Sequence, residues 1–192
     1  MRTFVAIELP LPVQMALGSV GAQLRAALPG QRLRWVAPDH IHLTIKFLGE
    51  ISSLQAEALA ADLLAVAAAL APIELALGAA GCFSQRGAPS ALWVGLRGEI
   101  TPLNRLQRAV EAAALARGHR LETRAFRPHL TLGRFALGRP AAAAPLVAAA
   151  LQNAAVSQSV EWTARDFSLM RSELLQGGAR YTCMHKFELG GG

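Results

Sequence analysis

Short apolar runs alternate with longer alanine-rich segments along this chain, and the two kinds of segment predict strands and helices. Phe4 to Leu9 and Ile41 to Leu48 are strand-like runs, each closed by proline or glycine. Pro12 and Ser52 or Ser53 stand where helices begin, and the pattern predicts helices to about Leu28 and Leu70. Charged residues interrupt these alanine-rich segments, so they are typical of a globular protein rather than of membrane spans.

The second half of the chain repeats this order of elements. A strand, a helix opened by Thr101-Pro102, a second strand, a second helix and a third strand are predicted, followed by one final strand. The predicted ranges are 91–96, 101–116, 129–135, 140–152, 160–170 and 181–189. The strand at 160–170 takes the place that Ile73 to Phe83 has in the first half.

Equal spacing within the two halves suggests an internal duplication. Phe4 lies 38 residues before His42, and Trp93 lies 36 residues before His129. We therefore expect one α+β domain over residues 1–192, made of two interleaved halves of about 1–88 and 89–192. It would form two pseudo-symmetric lobes around a central cleft, each an antiparallel sheet with outer helices.

Composition limits the classes of function. Of 192 residues, 53% are hydrophobic and 17% charged, which indicates one packed globular unit. The net charge of +6 favours anionic partners, but the basic residues are scattered, so a localised phosphate site fits better than a long nucleic-acid surface. Cys82 and Cys183 match no zinc or redox spacing, and the N-terminal apolar run is too short for a signal peptide, so we expect a cytoplasmic protein with no membrane association.

Two copies of one tetrapeptide stand 87 residues apart, at equivalent places in the two halves. They are His42-Leu43-Thr44-Ile45 and His129-Leu130-Thr131-Leu132. Because alternate side chains of a strand point to opposite faces, each histidine shares a face with its threonine while the apolar pair packs behind. Two such strands side by side would place two imidazoles and two hydroxyls at one cleft.

This set of groups suits attack on a phosphodiester. One neutral and one protonated histidine can activate the nucleophile and protonate the leaving oxygen, and threonine hydroxyls can donate to phosphoryl oxygens. Neither motif contains an acidic residue, and the chemistry needs no metal and no cofactor.

The paired motifs resemble those of the 2H phosphoesterase superfamily. The flanking residues Arg34-Trp35-Val36, Lys46-Phe47-Leu48-Gly49-Glu50, Arg127-Pro128 and Gly133-Arg134 make the chain similar to the RNA 2′,3′-cyclic phosphodiesterases, also called 2′-5′ RNA ligases. The resemblance extends over essentially the whole chain.

The resemblance implies hydrolysis of 2′,3′-cyclic phosphates at RNA 3′ ends, or on nucleotides, to 2′-phosphates. It implies that His42 is the proton donor, that His129 is the proton acceptor, and that Thr44, Thr131 and Arg134 hold the phosphate. The near-symmetric motifs themselves do not distinguish donor from acceptor.

Further residues are candidates for substrate contact. Lys46 would share the face of His42 by alternation, which places Phe47 on the opposite, core face. Tyr181 lies on a final strand that could border the cleft. The cleft forms within one chain, so we expect a monomer.

Three alternatives stay open at this stage. The same residues could join RNA ends through 2′-5′ bonds, or the chain could bind nucleotides or RNA without turnover. On ligand type alone, His40, His42 and His129 could also hold a metal, although no carboxylate is available to orient them.

Overall fold

The computed structural model describes residues 1–136, 143–157, 159–175 and 178–190. The helices of this part are α1 (Leu11–Ala27), α2 (Ser53–Ala68), α3 (Ile100–Ala116) and α4 (Ala144–Asn153), with a 3₁₀ turn at Pro38–His40. The strands are β1 (Arg2–Glu8), β2 (Leu33–Trp35), β3 (His42–Glu50), β4 (Ile73–Gln85), β5 (Ala88–Gly98), β6 (His129–Phe135), β7 (Glu161–Ala164), β8 (Asp166–Leu175) and β9 (Gly178–Glu188). The α+β class is confirmed; the predicted start of α4 at Pro140 lies outside the described residues.

The strands form one antiparallel sheet in the order β7-β4-β5-β6-β3-β1-β8-β9, and β2 pairs with β6. Strands β3 and β6, which carry the two motifs, are neighbours in the middle of this order and share the register pair Leu43 and Leu130. Outward from this junction each motif strand is followed by three further strands. The arrangement has the pseudo-symmetry that the repeat predicts.

The predicted single strand over 160–170 is wrong. The chain leaves the sheet at Arg165 and makes two strands at opposite ends of it: β7 pairs with β4, whereas β8 pairs with β1. The break falls at two adjacent charged residues, Arg165 and Asp166, of which Arg165 is exposed. Each side of the sheet therefore contains strands from both sequence halves, and the proposed boundary near residue 88 stays a prediction.

Local signals in the sequence account for the ends of several elements. Ser52 and Gln55 form a capping box that starts α2, with reciprocal hydrogen bonds between side chain and backbone. Pro12 stands in the first turn of α1, where a missing N–H costs nothing. Arg86 and Gly87 both have positive φ and join β4 to β5 in a two-residue hairpin.

The main core lies between one face of the sheet and the helices. Helix α1 contributes Val13, Leu17, Val20 and Leu24, spaced to form one stripe of its surface. A second, smaller cluster of Phe4, Ala6, Met170 and Tyr181 lies separately from this core. Strand β1 is thus buried on both sides, with Val5 and Ile7 in the main core and Phe4 and Ala6 in the smaller cluster.

No helix in the described part of the chain is long and apolar enough to cross a membrane.

Candidate active site

The two motifs come together where β3 meets β6. Because Leu43 is opposite Leu130 in an antiparallel pair, the register places His42 opposite Thr131 and Thr44 opposite His129. Leu43, Ile45, Leu130 and Leu132 are buried in the core, and the four polar side chains are half-buried on the other face. The structure therefore brings together the two imidazoles and two hydroxyls that the sequence predicts.

Both imidazoles are held by the same backbone contact. Nδ1 of His42 is 3.0 Å from the carbonyl oxygen of His40, and Nδ1 of His129 is 2.7 Å from that of Arg127. Since a carbonyl only accepts, Nδ1 carries the hydrogen in each ring. Nε2 is then the nitrogen left to exchange a proton with a substrate.

Aromatic side chains enclose the two imidazoles differently. Phe4 stacks on His42 at 4.7 Å between ring centroids, and Tyr181 meets the same imidazole edge-on at 5.0 Å. Phe83 meets His129 edge-on at 4.8 Å and also packs on Trp93. The indole of Trp93 lies so close to Gly81 that a Cβ at that position would overlap it, which explains the glycine there.

Burial lowers the pKa of both imidazoles below the ordinary value of 6.5. The carbonyl hydrogen bonds act in the opposite direction and raise the pKa, while the positive charge of Arg134 lowers the pKa of each ring. Arg134 is therefore close enough to act on His42 and His129 together. It is exposed, and within the described residues it forms no ion pair.

A β-bulge in each motif strand decides which side chains reach the cleft. In β3 the register passes from Thr44 to Lys46 and leaves Ile45 without a partner; in β6 it passes from Thr131 to Gly133 and leaves Leu132 without one. Each bulge reverses the alternation that follows it. Consequently Phe47 and Arg134, each five residues after a motif histidine, both line the cleft.

The bulge corrects the expectation that Phe47 is a core residue, and it places Lys46 beside α3. Lys46 lines the cleft but is only 5% exposed, and its Nζ donates to Glu111 of α3 at 2.6 Å; its contact with substrate stays a prediction. Phe47 is 67% exposed and packs on Phe4 at 6.1 Å, so it is not a core residue. The third candidate, Tyr181, does border the site through its contacts with His42 and His40.

The cleft beside this junction has a volume of about 840 Å³. Thr44, His129 and Arg134 line it, and beyond them lie Phe47 of β3, the end of β4, and side chains from the connection before β6, among them Phe126 and Arg127. A space of this size holds a ligand as large as a nucleotide.

Sequence reasoning missed Phe4, Phe83 and Glu111. Each is an ordinary apolar or helical residue in the sequence, and only the sheet order brings it to the site. Within the described residues no group of three His, Cys, Asp or Glu side chains is arranged to hold a metal ion, so His40, His42 and His129 do not form such a set.

The fold defines a class: an α+β phosphoesterase with one antiparallel sheet, in which the two motif strands lie side by side. The family model described as the 2′-5′ RNA ligase superfamily matches residues 12–174. The chain belongs to this superfamily, which is a family of enzymes.

Named relatives agree with this assignment. A protein from Thermus thermophilus named RNA 2′,3′-cyclic phosphodiesterase is 32% identical over the whole of this chain and 91% of its own length. A protein of the same name from Geobacillus stearothermophilus is 35% identical over 68% of this chain, a match that spans 41% of that relative.

Solved structures show the same fold. TT0787 of Thermus thermophilus matches with a TM-score of 0.79 at 28% identity, covering 100% of this chain and 99% of that one. Escherichia coli LigT complexed with NADP⁺ matches with a TM-score of 0.74 at 28% identity, covering 98% and 96% of the two chains.

Proposed function

We propose that this chain hydrolyses 2′,3′-cyclic phosphates at RNA 3′ ends to 2′-phosphates, using two histidines and no metal ion. The observation that carries the proposal is the matched pair of imidazoles on adjacent strands, each with Nδ1 bonded to a backbone carbonyl and each near Arg134. The names of the relatives support the substrate class. The complexes of Escherichia coli LigT with 3′-AMP and with phosphate support a phosphate-bearing nucleotide as ligand.

The proposed chemistry uses only side chains of this site. Nε2 of His129 takes a proton from water, and the water oxygen bonds to phosphorus. The bond from phosphorus to O3′ breaks, and O3′ takes the proton from Nε2 of His42, which leaves a 2′-phosphate and a 3′-hydroxyl. Proton exchange with solvent then restores both histidines.

The other polar groups would stabilise charge on the phosphate. Thr44 and Thr131, each opposite a histidine of the other motif, would donate hydrogen bonds to the non-bridging oxygens. Arg134 would offset the negative charge of the same oxygens with a planar set of donors. One chain supplies all five side chains, so the proposal needs no second subunit.

Product analysis on a short RNA ending in a 2′,3′-cyclic phosphate tests the proposal. A 2′-phosphate is the expected product, and a 3′-phosphate or a joined RNA contradicts the reaction. His42→Ala and His129→Ala should each lose about 10²–10⁴-fold in rate. The control is His185→Ala, a strand histidine that bonds Glu57 away from the cleft and should keep full activity. Full activity in either motif variant contradicts the two-histidine mechanism, and loss of activity in excess chelator contradicts metal independence.

Donor and acceptor are separated by a substrate with sulfur in place of the departing 3′ oxygen. A thiolate leaves without needing a proton, so a missing general acid matters little for it. His42→Ala should then recover most of its rate, while His129→Ala should not. Recovery in His129→Ala alone would reverse the two roles.

A further inference from the structure

Lys46 and Glu111 form a buried ion pair in the lining of the cleft. Lys46 is two residues past Thr44, and its Nζ donates to Oε1 of Glu111 at 2.6 Å and to the carbonyl oxygen of Arg120 at 3.0 Å. The two residues are 5% and 9% exposed. The pair thus joins the strand of the first motif to α3 and to the residues that follow that helix.

Glu111 also holds the connection that leads to the second motif. Its Oε1 accepts from the backbone N–H of Glu122 at 3.0 Å, and its Oε2 accepts from Nε2 of Gln107 at 3.5 Å. Residues 120–126 contain no helix or strand. Within the described part of the chain, two hydrogen bonds tie these residues to the rest of the protein, and both end on Lys46 or Glu111.

This connection ends on the carbonyl that orients His129. Arg127 follows it directly, and its carbonyl oxygen accepts from Nδ1 of His129 at 2.7 Å. Phe126 and Arg127 also form one wall of the cleft. A shift of residues 120–126 would therefore move both the wall and the acceptor of the imidazole hydrogen bond.

We propose that the Lys46–Glu111 pair is a positioning device that fixes the second catalytic histidine relative to the first motif strand. The expected loss of kcat rests on the proposed function. The expected change in the pKa of His129 does not depend on it. Lys46 is then a positioning residue.

The pair acts by geometry rather than by its charge. The charged groups that affect the pKa of His129 and His42 are Arg134 and, for His42, also His40; Lys46 is not among them. The double substitution of Lys46 and Glu111 removes one positive and one negative charge together, so it leaves the net charge beside the cleft unchanged. The hydrogen bond from Nδ1 to the Arg127 carbonyl raises the pKa of His129, so loosening that bond lowers it further.

The test compares Lys46→Met with Lys46→Met/Glu111→Leu. The single variant leaves a carboxylate buried without its partner and loses stability, whereas an apolar pair of similar volume restores it. Neither variant anchors residues 120–122. The double variant should therefore keep the wild-type melting temperature and still lose roughly 10–100-fold in kcat on a 2′,3′-cyclic nucleotide. Arg117→Met is the control, because it breaks the α2–α3 ion pair with Asp62 at the surface.

Imidazole titration by NMR supplies the second readout. In the double variant the pKa of His129 should fall while that of His42 stays unchanged. Recovery of both stability and kcat, or equal behaviour of the two imidazoles, would overturn the proposal. If the wild-type protein hydrolyses no cyclic phosphate, the proposed function fails, and the titration alone still decides whether the pair positions His129.

Discussion

Replacing Phe4 by leucine tests whether aromatic burial sets the protonation of His42. The Phe4 ring is 3% exposed and stacks on the imidazole at 4.7 Å. Burial is the largest cause of the lowered pKa of His42, so a smaller, more open neighbour should raise that pKa toward its ordinary value. Phe4 makes ring contacts with His42, Phe47 and Tyr181, and the loss of all three at about 0.5–1.5 kcal/mol each costs about 1.5–4.5 kcal/mol. At about 2–4 °C per kcal/mol for a domain of this size, the melting temperature should fall by about 3–18 °C.

Phe83→Leu is the matched variant on the other imidazole. Phe83 meets His129 at 4.8 Å and does not contact His42 among the ring pairs of the described residues. NMR titration of the two histidines should show a raised pKa for His42 in Phe4→Leu and for His129 in Phe83→Leu, with the other ring unmoved each time. The plot of kcat/KM against pH should be bell-shaped, with one limb set by each histidine, and one limb should move in each variant. If both rings respond alike to one substitution, or neither responds, the reasoning from local burial is refuted.

The same burial makes stability depend on pH. The pKa of each histidine is lower in the folded protein than in the unfolded chain, so the unfolded state binds more protons as pH falls below about 6.5. The free energy of unfolding should therefore decrease as pH falls from about 6.5 through the lowered folded-state values. Phe4→Leu should bring the folded-state pKa of His42 closer to its unfolded-state value, and so weaken the pH dependence of the free energy of unfolding. Urea unfolding at a series of pH values measures this dependence.

Three further outcomes are expected. Arg134→Met should lower kcat/KM by about 10²–10³-fold. The Arg134 charge lowers the pKa of both imidazoles, so its removal should raise both pKa values and move both limbs of the pH profile to higher pH; movement of one limb only would contradict this. Phe47→Ala should raise KM for a cyclic-phosphate-ended RNA by roughly 5–150-fold, the value of one base stacked on an aromatic ring, with kcat and melting temperature nearly unchanged; an unchanged KM would exclude such stacking. Ser52→Ala should destabilise the protein by about 1 kcal/mol in urea unfolding without changing kcat, and no loss of stability would mean that the capping box of α2 contributes nothing.

The local pattern of the sequence predicts much of this molecule, and the duplication predicts more. The bounds of β6 and the start of α2 follow from apolar alternation and from one capping serine. The pairing of the two motifs follows from their equal positions in the repeat. The division of 160–170 into two strands falls at the charged pair Arg165 and Asp166, but this local signal does not show that the two strands pair on opposite sides of the sheet.

The faces of Lys46 and Phe47 could not be predicted for a different reason. Their assignment assumed unbroken alternation, and a β-bulge is set by how two strands pair rather than by the residue that bulges. The aromatic neighbours of His42 and His129 depend likewise on strand order. The way the strands pair, and not local propensity, therefore determines which side chains surround His42 and His129.

The exchange of strands across the sheet has a consequence for synthesis of the protein on the ribosome. Strand β1 pairs with β3 on one side and with β8 on the other, where Arg2 is opposite Ser172. At about 5–20 residues per second, that outer edge waits roughly 9–34 s for its partner to be made. During this time the nascent chain presents Phe4 and Ala6 on an unpaired apolar strand edge, which is a surface that chaperones bind and that aggregation begins from. Strand β1 is made long before β8, and the wall behind His42 is finished only after β8 and Tyr181 have been synthesised.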